Sequence, residues 1–286
     1  MAVAAFLVLV NAVGAGENEP AQPLDAYPGK CLSQPPAEGA RTLSDAEVDA
    51  RLTDLFNRYK ELKCIAADVV QTKTGGPFRR PVQKSGTLKV RMPDRLLLDM
   101  SADGLRILCD GRHAWIEDTD LGDVERWDMK ALDAEGGKDF HAAGALFRVD
   151  AQSPEELRKE YRIVGLQQEG GVVFILTPIP ATVRPPLSEI RITLPDGSVV
   201  PSEVRTTQSV EGPSERPPSV TTLALSSVQT NLEGLPSFPE DLFVFPLQEG
   251  IEVRDMSAPG GLKPLSYEEL IRERREPQKG TETEMP

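Results

Sequence analysis

The stretch SGTLKVRMPDRLLLDM, residues 85–100, alternates between apolar and polar side chains and then becomes continuously apolar. Successive side chains of a strand point to opposite faces, so Leu88, Val90 and Met92 share one face. After a Pro-Asp turn, residues 96–98 are three consecutive leucines, which predicts a strand that is apolar on both faces. A sheet of this kind can hold either a protein core or a lipid, so the pattern bears on function as well as on fold.

Composition and charge limit the functions that this chain can have. The 286 residues can bury a sizeable core and fit one large or two small domains. The net charge is −13, from 45 acidic and 32 basic residues, which argues against nucleic acid as a partner because phosphate backbones require clustered Lys and Arg. The 25 prolines and 23 glycines indicate many turns, which is typical of a strand-rich fold.

The N-terminal segment, residues 1–16, reads MAVAAFLVLVNAVGAG, an apolar run that ends in small residues. It has the length of a signal peptide but lacks the basic residues that normally precede the apolar part. Two interpretations stay open: a signal peptide shortened by a misassigned start, or a short membrane anchor. Residues 2–13 are fewer than the roughly 20 apolar residues that usually span a bilayer, so we favour export.

Beyond this run the chain divides into three parts. Residues 17–41 are rich in Pro, Gly, Glu and Ala without periodicity, and we interpret them as a tether. Residues 42–256 form the predicted folded domain, which begins at a capping box in which Ser44 and Glu47 satisfy each other's backbone N–H groups. Residues 257–286 are interpreted as a charged tail, in which SYEELIRERRE is compatible with a solvated helix.

Strands and hairpin turns predominate within the domain. The pair Asp110–Gly111 predicts a tight turn, and the strand that follows it carries Trp115. One helix after the capping box and a second helix capped by Ser153 accompany about ten predicted strands. Residues 130–149 are ambiguous and compatible with one or two short helices.

Reactive side chains are few and are not arranged as in known sites. The two histidines, His113 and His141, belong to no hydrolase or metalloprotease motif, and we expect His113 at the surface beside its hairpin turn. The three cysteines, Cys31, Cys64 and Cys109, lack metal-binding spacing. We expect Cys64 and Cys109 to be buried, while a Cys31–Cys64 bridge stays open. The sequence therefore predicts no catalytic residue, metal or cofactor, and a protein that is not an enzyme.

The order of these elements resembles the LolA family of periplasmic lipoprotein carrier proteins. The resemblance covers roughly residues 45–255 and depends on four features in the family's order. They are a helix running into a strand, a Gly-containing strand that ends at a proline turn, an Asp-Gly hairpin followed by an aromatic residue, and closing strands before a Phe-x-Phe-x-Pro motif. The segments are LTDLFNRYKELKCIAADVVQT (52–72), SGTLKVRMPDRLLLD (85–99), ILCDGRHAWIED (107–118), YRIV (161–164), VVFILTP (172–178), IRITLPDGSV (190–199) and LFVFPLQEGIEV (242–253).

The resemblance implies a mainly β fold, a curved antiparallel sheet that forms an unclosed barrel, with helices over its concave face. In the family that face receives the acyl chains of lipoproteins. The leucines 96–98 would follow the bend of the sheet into the mouth of the cavity. Each cavity residue could instead simply pack against the helices, and both readings stay open. The expected acyl-cavity residues are Leu88, Val90, Met92, Leu96, Leu98, Trp115, Phe174 and Leu176.

One departure from the family concerns the latch that holds its lid closed. The well-known carriers have a basic residue followed by Arg-Pro, and that arginine ties the lid shut when no lipid is bound. Here Met92 precedes Pro93, and Arg91 stands one residue earlier. A one-residue offset moves a side chain to the other face, so we expect Arg91 to point to solvent. Arg95 is the nearer substitute, and these two arginines are the candidate latch residues.

The function implied by the resemblance is that of a periplasmic carrier or chaperone that sorts lipoproteins to the outer membrane. Its partners would be lipid-modified proteins, an inner-membrane release complex and an outer-membrane acceptor, and the carrier would be monomeric. A membrane-anchored protein facing the periplasm is the alternative location. The alternative function is a non-catalytic envelope protein of the same fold that regulates or scaffolds, with its helix-covered face serving only as a core.

Overall fold

The computed structural model describes six segments of the chain, which contain almost all of the predicted domain. The leader 1–16, nearly all of the tether 17–41 and the ambiguous segment 130–149 lie outside them. The described residues are 40–76, 78–129, 153–179, 187–208, 217–257 and 263–275.

One mixed but almost wholly antiparallel sheet contains all fourteen strands of the described segments. The sequence predicts about ten strands; the extra ones include edge strands of two or three residues, too short to show alternation. The strands are β1 (Arg41–Thr42), β2 (Cys64–Gly75), β3 (Phe78–Arg91), β4 (Arg95–Met100), β5 (Leu105–Asp110), β6 (His113–Asp118), β7 (Asp123–Asp128), β8 (Tyr161–Gln168), β9 (Gly171–Pro178), β10 (Leu187–Pro195), β11 (Glu203–Gln208), β12 (Ser219–Thr230), β13 (Val253–Asp255) and β14 (Lys263–Leu265).

The sheet consists of two meanders that meet in its middle. Its strand order is β1-β8-β9-β10-β11-β12-β2-β3-β4-β5-β6-β7-β13-β14. The strand β12 returns from the second meander to pair along β2, and only the short contact of β13 with β7 is parallel. The first and last strands of this order do not pair with each other, so the sheet is not closed. The prediction of a mainly β fold with an unclosed antiparallel sheet is confirmed, whereas helices over a concave face stay a prediction.

Three helices accompany the sheet in the described segments: α1 (Asp45–Tyr59), α2 (Pro154–Glu160) and α3 (Tyr267–Arg275). The helix α1 begins at the predicted capping box, where Ser44 N donates to the Glu47 carboxylate at 2.8 Å and Glu47 N donates to Ser44 Oγ at 3.4 Å. Its apolar stripe is buried; the stripe consists of Val48, Leu52, Leu55, Phe56 and Tyr59. The helix lies close to β8, because a Cβ at Gly165 would be only 2.8 Å from a methyl group of Val48.

The two faces of the sheet belong to different apolar clusters. The helix face is the one whose alternate residues share a cluster with the α1 stripe, and across β2 to β6 it includes the row Ala67, Leu88, Leu98, Ile107 and Ile116. The C-terminal face is the opposite face of β4 to β7. Its apolar residues pack with side chains from the last part of the chain; this second cluster contains Leu97, Leu108, Trp115, Val124, Phe245, Leu247, Ile251, Val253, Leu265 and Leu270.

Residues 263–275, which the sequence assigns to a charged tail, are part of the folded structure. Strand β14 extends the sheet, and Leu270 of α3 is buried in the second cluster. An ionic contact fixes the same segment: Arg126, only 7% exposed, binds Asp255 at 2.8 Å and also binds Glu273 of α3. The described fold therefore reaches Arg275, and α3 is solvated on one side only.

The burial of Leu270 generates a stability prediction. Leu270→Ala should lower the free energy of unfolding by about 2–5 kcal/mol, because it removes buried methyl groups and leaves a cavity over the sheet. Urea denaturation followed by tryptophan fluorescence measures this, since Trp115 belongs to the same cluster. Arg272→Ala on the exposed side of the same helix is the matched control and should change the value by less than about 0.5 kcal/mol. Equal denaturation midpoints for the two variants would show that α3 does not stabilise the sheet.

Candidate functional site

Seven of the eight predicted cavity residues share the helix face. In the β3–β4 hairpin, Leu88 lies opposite Leu98 and Val90 lies opposite Leu96. In the other meander, Phe174 and Leu176 belong to the same cluster, and Met92 packs against it while partly buried. The alternation in the sequence therefore assigns these side chains to one continuous apolar face.

This face is closed in the structure, with Leu96 and Leu98 buried in it rather than at an opening. Both leucines are 0% exposed, and Leu88 on the neighbouring strand is 3% exposed. The hairpin register explains this burial. The turn at Pro93 places Arg91 opposite Arg95, so β4 runs antiparallel beside β3 and its leucines lie opposite buried residues of that strand. The leucines thus occupy the middle of the core, with no gradient from a mouth to a deep end.

Trp115 does not lie with the other predicted cavity residues. Its neighbours in sequence, Ala114 and Ile116, belong to the helix face, so the Trp115 side chain points to the C-terminal face. There it stacks on Phe245, with ring centroids 4.8 Å apart and an interplanar angle of 8°. Leu97 packs against the same cluster. Both apolar faces of β4 are consequently covered by the protein itself.

The two candidate latch arginines lie on the C-terminal face as well. They are directly opposite each other in the β3–β4 pair. Arg95 lies two residues before Leu97 on β4, so both arginines are on the same face as Leu97. Arg91 is not free in solvent, because it pairs with Glu240 at 3.2 Å and donates to the Phe238 carbonyl at 3.4 Å. The Arg95 side chain makes no hydrogen bond or ion pair with any other described residue. Neither arginine faces α1, so neither ties α1 to the sheet in this structure.

A polar patch that the sequence pattern does not reveal interrupts the helix face. Following the alternation of β2 outward from Val69 gives Gln71 and then Lys73, and the register places Lys84 on the neighbouring strand opposite Gln71. On the other side, Thr221 lies opposite Lys73 and Thr206 lies opposite Thr221. In the sequence, Gln71 and Lys73 follow Val69 at intervals of two residues, which is the spacing of one strand face. Because their side chains are polar, the apolar alternation ends at Val69. These five residues are called the polar patch below.

Two cysteine thiols are buried and free, which confirms the expectation for Cys64 and Cys109; Cys31 lies outside the described residues. Burial raises the pKa of Cys109 to about 12, so this thiol is not poised to react.

In the described part of the chain, no cluster of potential ligands could hold a metal ion. Among the same residues, no helix is long and apolar enough to cross a membrane.

A family model described as outer membrane lipoprotein carrier protein LolA matches residues 60–233, which is 174 of the 286 residues. The chain belongs to the LolA family. The matched region contains the strands β2 to β12, whereas α1 and the covering segment from Phe243 onward lie outside it. A search of curated protein sequences found no match.

Solved structures similar to this LolA-family chain differ widely from it in sequence. A DUF1329 family protein of Desulfovibrio piger is 10% identical and matches over 71% of this chain and 100% of its own, with a TM-score of 0.36. The lipoprotein LppX of Mycobacterium tuberculosis is 13% identical over 65% of this chain and 96% of its own, with a TM-score of 0.35. The MucA/MucB complex of Pseudomonas aeruginosa gives 15% identity over 68% and 61%, with a TM-score of 0.30.

The hairpin before Trp115 depends on one carboxylate. Asp110 accepts hydrogen bonds from the backbone N–H groups of Arg112 and His113, at 2.8 and 2.7 Å, and from Trp115 Nε1 at 3.0 Å. Burial raises the pKa of Asp110, but the interactions with His113, Trp115 and Arg112 outweigh burial and lower it to about 2. His113 is buried beside the Trp115 ring, with centroids 5.9 Å apart, so its expected surface position is wrong.

The lowered pKa of Asp110 predicts an acid-dependent contribution to stability. A depressed folded-state pKa stabilises the fold above the ordinary value of 3.8, by roughly 2 kcal/mol, and this is lost as the pH falls through about 2. Asp110→Asn should therefore be less stable than the wild type at pH 7, and the difference should shrink between pH 4 and 2. Urea denaturation at several pH values measures it, with Asp54→Asn on the exposed surface of α1 as the control. A difference that does not change with pH would contradict this role.

The closed helix face generates a second prediction. Leu96→Glu and Leu88→Glu should each cost several kcal/mol, because each would bury an unpaired charge in the same core, and both should melt far below the wild type. Leu121→Glu, at a position that is 75% exposed, should melt like the wild type. Thermal denaturation followed by circular dichroism compares the three. A normal melting temperature for Leu96→Glu together with a lowered one for Leu88→Glu would restore the mouth position of Leu96.

Proposed function

We propose that this protein is a carrier or chaperone for lipid-modified proteins in the periplasm, and that acyl chains bind on the helix face between the sheet and α1. Membership of the LolA family supports the function. The extent of the helix face supports the place, because one apolar cluster runs across both meanders. This continuous face is the observation that carries the proposal.

Binding acyl chains requires apolar area and no bond chemistry. Each methylene group removed from water contributes about 0.8 kcal/mol, so a chain of a dozen or more carbons gains enough to stay bound. The helix face offers leucine, valine and phenylalanine side chains for this purpose. Its residues are already buried in the structure, so a chain must take the place of something that now covers them.

The helix α1 is the element that we expect to yield. Its apolar stripe contributes to the cluster, so an acyl chain would replace one apolar cover by another. Its polar contacts with the rest of the domain lie near the surface: Arg51 donates to Gln167 at 2.8 Å, Arg58 donates to the Gly197 carbonyl at 2.7 Å, and Arg158 pairs with Asp49 at 2.8 Å and with Asp45 at 3.3 Å. Exposed polar contacts of this kind contribute little, typically about 0–1 kcal/mol each. Most of the free energy that holds α1 is therefore in its apolar stripe, which an acyl chain would replace.

The expected cellular route follows from this proposal. A leader at residues 1–16 would direct export, and the monomeric carrier would accept lipid-modified proteins from an inner-membrane release complex and deliver them to an outer-membrane acceptor. In this proposal α1 closes the face mainly through its apolar stripe, because Arg91 and Arg95 do not face it. An envelope regulator or scaffold of the same fold is the alternative, and it requires no acyl binding.

A reversible crosslink tests whether α1 must move. A Cβ at Gly165 would lie 2.8 Å from Val48 Cγ2, so the double variant Val48→Cys with Gly165→Cys can form a disulfide between α1 and β8. The oxidised protein should lose binding of a fluorescent diacylated lipopeptide by at least about 10-fold, and reduction should restore it. The single variant Val48→Cys, treated with the same oxidant, is the matched control and should bind throughout.

Two results would contradict the proposal in different ways. If the wild type binds no diacylated lipopeptide, the carrier function is wrong and the regulatory alternative is favoured. If the oxidised double variant binds as well as its reduced form, acyl chains bind elsewhere than between α1 and the sheet. Melting curves of both redox forms establish that the disulfide formed without loss of fold.

A further inference from the structure

The polar patch lies within a face that is mainly apolar. Gln71 is 2% exposed and Thr206 is 3% exposed, and Thr221 is also buried. Thr206 Oγ1 has no hydrogen-bond partner among the described residues. A buried polar group without a partner costs free energy that the fold must offset elsewhere. The patch is therefore poorly explained as part of a core alone.

Two positive charges stand in this patch without a counter-charge among the described residues. Lys73 is partly buried, and Lys84 is its diagonal neighbour on the adjacent strand, about 7–8 Å away at the backbone. Neither ammonium group makes an ion pair or hydrogen bond with any residue in the described segments. Burial, and next the charge of Lys84, lower the pKa of Lys73 to about 8.

The surroundings of the two lysines carry no described carboxylate on the same face. Asp68 on β2, Glu203 on β11 and Glu189 on β10 all point to the opposite face of the sheet. The chain as a whole has a net charge of −13, whereas this part of its main apolar face carries two positive charges and no described negative one. A bound anion would supply the missing counter-charge and accept hydrogen bonds from the ammonium groups.

We propose that the polar patch binds the anionic head group of an amphiphile whose hydrocarbon chain lies along the helix face. The inference rests on the proposed acyl binding and adds the class of head group, a carboxylate or a phosphate attached to an alkyl or acyl chain. Lys73 and Lys84 would contact the anion, and the Thr206 and Thr221 hydroxyl groups would donate to its oxygens. From Lys73 the same face continues through Val69 and Ala67 to Leu88, which gives the chain an apolar path.

Isothermal titration calorimetry with four probes tests the proposal on the full-length protein. The probes are dodecyl phosphate, dodecanoate, dodecanol and inorganic phosphate. The wild type should bind the two anionic amphiphiles about 10-fold more tightly than dodecanol, which shares their chain but has no charge. Lys73→Gln with Lys84→Gln should reduce this preference to less than about twofold and leave dodecanol binding unchanged. Lys89→Gln, on the same strand but on the opposite face, is the matched control and should keep the preference.

The four probes separate failure of this inference from failure of the proposed function. Equal binding of dodecanol and the anionic amphiphiles to the wild type would overturn the head-group site and leave acyl binding intact. No binding of any dodecyl probe would overturn both. Binding of inorganic phosphate as tightly as dodecyl phosphate would show a site for a free anion and contradict an amphiphile. The comparison of probes on the wild type needs no variant, so it holds even where the double substitution unfolds the protein.

Discussion

Strand β4 has leucines on both of its faces, and this constraint organises much of the molecule. A strand in the middle of a sheet with two apolar faces requires a cover on each side, because exposed apolar area of that size is unfavourable in water. The stripe of α1 belongs to the cluster on one side. On the other side, the segment from Phe245 to Leu270 packs over Leu97 and Trp115. The second cover lies beyond residues 60–233, the part of the chain that matches the LolA family model.

The sequence predicts well wherever alternation is clean. Leu88 and Val90 were assigned to one face because polar residues separate them, and the register of β3 with β4 agrees. Trp115 was misplaced because the strands around it read ILC and AWI, which are apolar on both faces and therefore carry no information about direction. The fold of residues 263–275 was missed for a related reason, since Leu265 and Leu270 are isolated apolar residues in a charged segment. Both errors concern contacts between residues far apart in the chain, which local periodicity cannot encode.

The helix face has to serve as a core and, on the proposed function, as a binding surface. The same apolar area cannot stabilise the fold fully and remain open for a ligand, so the closed state seen here competes with acyl chains for it. That competition sets the affinity for acyl chains. The free energy of the contacts between α1 and the sheet is lost when a chain binds, so it lowers the net free energy of binding. A carrier that must also release its cargo benefits from this balance. Lys73 and Lys84, which have no ion-pair partner in the described part of the chain, act in the opposite direction, because two neighbouring cations disfavour the closed face.

The pairing of β12 with β2 has a consequence for how the chain reaches its fold. The strands β2 to β7 can form a meander as soon as they exist, but the other edge of β2 remains unpaired until residues 219–230 arrive. More than a hundred residues separate these partners, and loop closure over such a distance makes the step slow compared with hairpin formation. Until then, β2 presents a twelve-residue edge that can pair with other chains. We therefore expect the central seam of the sheet to form late, and the interval before it closes to be when the protein is most exposed to aggregation.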